Sequence, residues 1–283
     1  MTPGQLAARV EEALGVEAQV ESAVSGGSIH RAYRVRAGAD RVFVKAGEGL
    51  PESMFAAEAR GLDRLRACAA VRVPEVLHVD ASMLVLEWIA FERPRHDAGA
   101  ILGRAIADLH RVSAPSFGLD HDNWIGRLPQ ANTPHADWHR FYVASRLRPQ
   151  LERGVRDGTL PRDVGARVEA VCERWAEIVP APAAPALLHG DLWGGNHGFD
   201  AAGRPVLYDP AVYFGHPESE LGFTTLFGGF EPGFHAVWEA ASGAGAEWRA
   251  REAAHHLYPL LVHANLFGGA YVAAVDRAAR RYA

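Results

Sequence analysis

Hydrophobic and polar residues alternate with two different periods along this chain, and the change from one to the other marks its organisation. Residues 5–14 have helical spacing. From Val16 to Val24, apolar Val16, Ala18 and Val20 interleave with Glu17, Gln19 and Glu21, the pattern of a half-buried strand. Two more strand-like runs follow, Arg31 to Arg36 and Arg41 to Ala46, joined by the hairpin connection Ala37-Gly38-Ala39-Asp40. In the second run Val42 and Val44 share one face, Phe43 and Lys45 the other. Phe55, Ala59, Leu62 and Arg66 then recur at helical spacing with Glu58 beside Phe55, and Ser53 stands where a cap belongs. Residues 73–79 and 83–88 return to strand character around a turn at Asp80-Ala81-Ser82. After Phe91 the helical period dominates: Ile101, Leu102, Ala105, Ile106 and Leu109 form one stripe, and helices are predicted over 138–153, 163–178, 234–241 and 247–280. The pattern predicts a small strand-rich lobe over 1–90 and a larger, mainly helical lobe over 91–283, an α+β chain.

The 283 residues are 48% hydrophobic and 22% charged, enough for a substantial core. A net charge of −5 argues against nucleic acid as a partner, since backbone binding draws on clustered Lys and Arg. Met1 to Val16 lacks the basic-then-apolar order of a secretory leader. The most apolar late stretch, Leu257 to Val275, is interrupted by Pro259, His263, Asn265 and Gly268-Gly269, so it reads as buried helix rather than a membrane span. Cys68 and Cys172 have no C-x-x-C spacing and read as reduced thiols. A cytoplasmic protein without membrane contact is expected; oligomeric state is not legible.

The chemistry concentrates in His189-Gly190-Asp191-Leu192-Trp193-Gly194-Gly195-Asn196, with Tyr208-Asp209-Pro210 thirteen residues past the asparagine. Asp191 and Asn196 stand five apart, the interval of a phosphoryl-transfer loop D-x-x-x-x-N. Such chemistry needs one carboxylate to accept the acceptor hydroxyl's proton and two oxygen ligands to hold Mg²⁺ on the nucleotide phosphates, and Asp191, Asn196 and Asp209 together offer two carboxylates and a carboxamide. A polar hairpin using these residues for their turn chemistry is the bland alternative. Lys45, with Glu58 thirteen residues later on the first helix, is in the chain order expected of a phosphate-binding lysine and its orienting glutamate. Gly26, Gly27 and Ser28 lie between strands, where a phosphate-covering loop belongs, although Gly-Gly is also an ordinary turn. The run ending Glu87-Trp88-Ile89 closes the small lobe, and backbone groups of Glu87 and Ile89 can read an adenine edge. His189 is expected to bond nearby backbone. His255, His256 and His263 read as helix residues rather than metal ligands.

These segments, with Phe117-Gly118-Leu119, Asp122-Asn123-Trp124-Ile125-Gly126, Gln130-Ala131-Asn132, Arg146-Leu147-Arg148-Pro149-Gln150-Leu151, Tyr213-Phe214-Gly215-His216-Pro217-Glu218 and Leu226-Phe227-Gly228-Gly229-Phe230, resemble the fructosamine kinase (ketosamine-3-kinase) family, relatives of aminoglycoside and choline phosphotransferases. Coverage runs from about residue 16 to the C-terminus. The resemblance implies a two-lobed protein-kinase-like fold, ATP and Mg²⁺ as cofactors, and phosphorylation of free or protein-bound sugar–amine adducts at the sugar 3-hydroxyl, a deglycation activity. It implies that Asp191 is the proton acceptor, that Asn196 and Asp209 hold Mg²⁺, and that Lys45 and Glu58 serve the phosphates. Trp193, Asn123 and Trp124 would frame the sugar, an aromatic face beside a cationic amine offering cation–π attraction. Many members carry a cysteine in the Gly-rich loop; Ser28 stands there in this chain, so disulfide control is not expected. A small-molecule kinase of the aminoglycoside or choline type is the competing reading. A non-catalytic nucleotide-binding module would need a broken catalytic set, and every expected position is filled.

Overall fold

The computed structural model describes residues 1–24 and 31–283, so the Gly26-Gly27-Ser28 loop lies outside the described residues. Two compact units form: residues 1–98 with 195–210, and residues 99–194 with 211–283.

In the first unit, α1 (Pro3–Leu14) starts at a capping box in which Thr2 Oγ1 accepts the Gln5 amide and the Gln5 side chain accepts the Thr2 amide, and it stops at Gly15 with φ +69°. β1 (Ala18–Val24), β2 (Arg31–Ala37), β3 (Asp40–Ala46), β4 (Val76–Val79) and β5 (Met83–Glu87) build an antiparallel sheet in the order β1-β2-β3-β5-β4. Leu6 and Val10 of α1 cover the face carrying Val35, Val42, Val44 and Val85. Each such burial contributes about 1.5–3 kcal/mol. Because side chains alternate across a strand, that packing sends Lys45 to the other face.

α2 (Ser53–Ala67) begins at Ser53 itself. The cap position belongs to Glu52, which makes no side-chain cap bond, and the Met54 amide donates to Pro51 O instead. The strand expected from residue 73 starts only at Val76, since Pro74 brings no amide to a ladder. The hairpin of β9 (His197–Phe199) and β10 (Pro205–Leu207) joins this unit through Arg72, whose amide donates to Pro205 O and whose carbonyl accepts from Leu207. A single boundary near residue 90 does not express that excursion.

The second unit is mainly helical. α3 (Ala98–Leu109) is followed by the hairpin β6 (Asn123–Ile125) and β7 (Leu128–Gln130). The helix expected over 138–153 runs as α4 (Trp138–Tyr142), a widened π turn (Val143–Leu147) and α5 (Arg148–Arg156). α6 (Arg162–Glu173) and α7 (Trp175–Ile178) lead to β8 (Ala186–Leu188), which pairs antiparallel with β11 (Tyr213–Gly215). α8 (Pro217–Leu226) and α9 (Phe234–Ser242) come next. The predicted 247–280 helix is a 3₁₀ turn (Glu247–Arg251) followed by α10 (Glu252–His255), α11 (Leu257–Phe267) and α12 (Ala270–Ala279). Its last break falls at Gly268 and Gly269, both at positive φ, which glycine adopts without a Cβ penalty. Trp138, Tyr142, Trp175, Tyr213 and Tyr258 anchor the core. Among the described residues no helix is long and apolar enough to cross a membrane.

Candidate active site

The first unit gathers a charged cluster. Lys45 Nζ donates to Glu58 Oε1 at 2.7 Å and to Asp209 Oδ1 at 2.6 Å. The lysine is 6% exposed. Burial alone would lower its pKa, but the carboxylates of Asp209 and Glu58 outweigh burial and raise it, so Lys45 stays charged. Glu58 is raised by burial against the pull of Lys45. Two carboxylates share one ammonium, leaving an excess of negative charge.

Asp209 has φ +57°, in the left-handed region that costs a non-glycine residue roughly 1–2 kcal/mol. Just outside the β9–β10 hairpin, the Tyr208 amide donates to Asn196 O at 3.1 Å and Asn196 Nδ2 donates to Asp209 O at 3.4 Å. A carboxamide meets a hard cation through its oxygen, so Oδ1 is the atom of Asn196 that suits one. Hard oxygen donors beside excess negative charge suit Mg²⁺, which is commonly held by one or two protein oxygens together with phosphates. Tyr208, next to Asp209, is pushed up to about 12 by burial.

Glu87 is tied down. Its amide donates to Glu75 O at 2.9 Å, and its carboxylate accepts Arg72 Nη2 at 2.5 Å while Arg72 Nη1 reaches Asp200 at 2.7 Å. The Glu87 amide is thus engaged by Glu75, and an adenine contact of this segment would fall to its other backbone groups. Ile89 lies two residues beyond the end of β5.

In the second unit, β8 delivers the chain into His189-Gly190-Asp191. Gly190 has φ +85°, and a Cβ there would stand 2.0 Å from Ala211 O. His189 behaves as expected, its Nδ1 accepting the Asp191 amide at 3.3 Å. The carboxylate that fixes the turn is Glu220, fully buried on α8: Oε1 accepts the Gly190 amide at 2.7 Å and Oε2 the His189 amide at 3.2 Å. His110 Nε2 also meets Oε2 at 2.9 Å, while Trp238 Nε1 donates to His110 Nδ1 at 3.1 Å. That pairing assigns the proton to Nε2 of a neutral imidazole. Burial would raise Glu220, but the His110 bond and the loop amides hold it lowered and anionic. In the sequence, Glu220 looks like one more solvated acid in a helix's first turn; its partner is 110 positions away.

Trp193 is 37% exposed, with its ring edge-on to Phe227 at 6.2 Å. The Gly194 amide donates to Gly228 O at 3.2 Å, and a Cβ on Gly194 would come within 2.8 Å of that oxygen. Asn123, in the segment expected to frame a sugar, turns its side chain into the fold. It is buried, Nδ2 donates to Val212 O at 2.8 Å, and Oδ1 accepts from Gln130 and Asn132. Its amide is consumed inside the fold. Trp124, on the opposite face of β6, is half-buried. Sequence reasoning also missed a partner for His255, whose Nε2 stands 3.2 Å from Glu218 Oε2.

The fructosamine kinase family model matches residues 4–282. A probable ketoamine kinase of Synechocystis sp. is 38% identical over 259 residues, covering 89% of this chain and 86% of that protein. A chloroplastic protein-ribulosamine 3-kinase of Arabidopsis thaliana is 33% identical over 258 residues, covering 88% and 78%. The crystal structure of a protein from Thermobifida fusca assigned as a fructosamine-3-kinase superposes with a TM-score of 0.88 at 35% identity, covering 98% of both chains. An aminoglycoside phosphotransferase, APH(4)-Ia, shares the fold at TM-score 0.69 and 18% identity over the full length of both chains. The two-lobed, protein-kinase-like α+β fold is thus that of its relatives, and the chain belongs to the fructosamine kinase family of kinases.

Proposed function

We propose that this protein transfers the γ-phosphate of ATP to the 3-hydroxyl of a ketosamine, a fructosamine or ribulosamine adduct on a free or protein-borne amine. The observation that carries the kinase chemistry is the buried Lys45–Glu58–Asp209 cluster. The acceptor class rests on relatives named ketoamine kinase and ribulosamine 3-kinase.

Lys45, held by Glu58, binds nucleotide phosphates. Asn196 and Asp209 would hold Mg²⁺ through oxygen, and that ion would neutralise charge on the phosphates. Asp191 accepts the proton of the sugar 3-hydroxyl as the O–P bond forms and ADP leaves. Trp193 lies against the sugar–amine. The loose transition state of phosphoryl transfer demands little deprotonation, so much of the work of Asp191 is orienting the hydroxyl.

Incubating the enzyme and Mg·ATP with ribulosamine, fructosamine, an aminoglycoside and choline, with ATP consumption as readout, tests the acceptor. Turnover confined to the ketosamines is expected, and preferential turnover of an aminoglycoside or choline overturns the reading. Asp191→Ala should lower kcat by roughly 10²–10⁴; near-normal turnover would sink the role of Asp191.

A further inference from the structure

Arg146 is a cation sealed in the second unit without a counter-charge. It is 0% exposed, and among the described residues no carboxylate forms an ion pair with it. Its donors go to neutral oxygens: Nη1 to Ala131 O at 2.6 Å and Ser145 O at 3.0 Å, Nη2 to Asn132 Oδ1 at 2.6 Å. Nε has no partner. The rings of Tyr213, Phe141 and Tyr258 lie 4.0, 4.9 and 5.8 Å from its central carbon, so cation–π attraction replaces part of the lost hydration.

Local sequence builds this seat. Pro149 has no amide hydrogen, so the carbonyl of Ser145, four residues earlier, lacks its helical donor. The turn widens over Val143–Leu147, closed by the Arg148 amide on Val143 O, and Arg146 Nη1 takes the Ser145 carbonyl. A π turn held open this way often marks a functional position.

From Arg146 the polar contacts run toward the catalytic segment. Asn132 Nδ2 donates to Asn123 Oδ1 at 2.9 Å, and Gln130 Nε2 donates to Asn123 Oδ1 at 2.8 Å and to Ala211 O at 3.1 Å. Asn123 Nδ2 holds Val212 O, and Tyr258 Oη donates to Gln130 Oε1 at 2.5 Å. The Ala211 amide then donates to His189 O at 2.9 Å, two residues before Asp191. Tyr258 also lies within electrostatic reach of Asp191.

We propose that Arg146 is a positioning residue for phosphoryl transfer, locking the Asn123–Gln130–Asn132 amides that fix Ala211–Val212 and thereby orienting Asp191 toward the acceptor hydroxyl. This rests on the role given to Asp191 above. The network spans three segments, around Asn123, Gln130–Asn132 and Arg146–Leu151, to which the proposed chemistry gives no other task.

The test is a double-mutant cycle. Arg146→Met, Arg146→Lys and Tyr258→Phe are each made alone and with Asp191→Asn, and kcat, KM for ATP and melting temperature are measured on ribulosamine. Arg146→Met should lower kcat by about 10²-fold, the scale of a 1 Å misplacement, without raising KM for ATP. Arg146→Lys, which keeps the charge, should recover part of that loss, and Tyr258→Phe should lose a smaller factor. None should lower the residual rate of Asp191→Asn further, because the pair acts as one unit. Equal fractional losses in both backgrounds, or a rise in KM for ATP in place of the kcat loss, overturn the proposal. If Arg146→Met does not fold, Tyr258→Phe carries the cycle. The Asp191→Asn parent is read first: near-normal turnover there overturns the role of Asp191 itself, an outcome separate from the failure of the coupling.

Discussion

Lys45 Nζ stands 2.6 Å from Asp209 Oδ1, 164 positions along the chain, and Glu58 completes the cluster. Lys45→Met would leave two carboxylates facing each other. Removing one partner from a buried ion pair typically costs about 3–5 kcal/mol, so a lowered melting temperature should accompany the loss of turnover. Lys45→Met with Glu58→Gln should regain most of the stability and none of the activity. Thermal melts of both proteins beside their ATP turnover check this.

Glu220→Gln keeps the shape of the side chain but removes one acceptor and the charge. A hydrogen bond to a charged group contributes about 1.5–3 kcal/mol, so the His189–Asp191 turn should loosen. The expected outcome is a drop in kcat with KM for ATP little changed, read by steady-state kinetics.

Gly190→Ala tests the same turn through sterics. The new Cβ would meet Ala211 O at 2.0 Å in a backbone conformation alanine resists. Loss of turnover is expected, with a lowered melting temperature. Gly158→Ala, also at positive φ but with open space around it, should keep near-normal turnover in the same assay and serves as the control.

Acid stability has a defined direction. Burial pushes His216 down to about 3, with His255 adding to the fall. Burial would raise Glu218, but bonds from His255 and Arg251 hold it at about 2. Both folded values lie below the unfolded ones, so the unfolded chain binds more protons as pH falls. Stability should therefore decline below about pH 6.5 through His216, and more steeply below about 4.5 as Glu218 joins. Urea midpoints from pH 7 to 4 measure this. His216→Asn should flatten the upper part of the decline.

Asn123→Ala and Trp193→Ala separate fold from substrate. Asn123→Ala strands the Val212 carbonyl and two amides, each unmade bond costing about 1–3 kcal/mol, so stability should fall while KM for the ketosamine holds. Trp193→Ala should raise that KM and leave the melting temperature nearly unchanged, since the ring is partly exposed.

What the chain disclosed in advance follows from the range of the forces involved. The Lys45–Glu58 pair was legible because strand alternation and helix spacing place both residues, and Asp191, Asn196 and Asp209 stood out as candidates through their intervals. The cap at Ser53 failed because a backbone turn at Pro51 does that work. β8 and β11 span three residues each, too short for any period to register. Glu220 went unnoticed, and Arg146 stood out only as part of a family-like segment, for a different reason. Their contacts form only once residues far apart in sequence are brought together, and nothing local separates a buried carboxylate from a solvated one.

α8 carries Glu220 in its first turn and ends at Phe227, whose ring meets Trp193. Seven positions at about 1.5 Å each separate the carboxylate that holds the His189–Asp191 turn from that aromatic pair, roughly 10 Å. With Trp193 on the acceptor side as proposed, substitutions at Phe227 and Trp193 would change the fit to an amine-bearing acceptor without disturbing the carboxylate about two turns away. On the proposed roles the helix insulates precision from novelty, so that what is phosphorylated could change while how it is phosphorylated is kept.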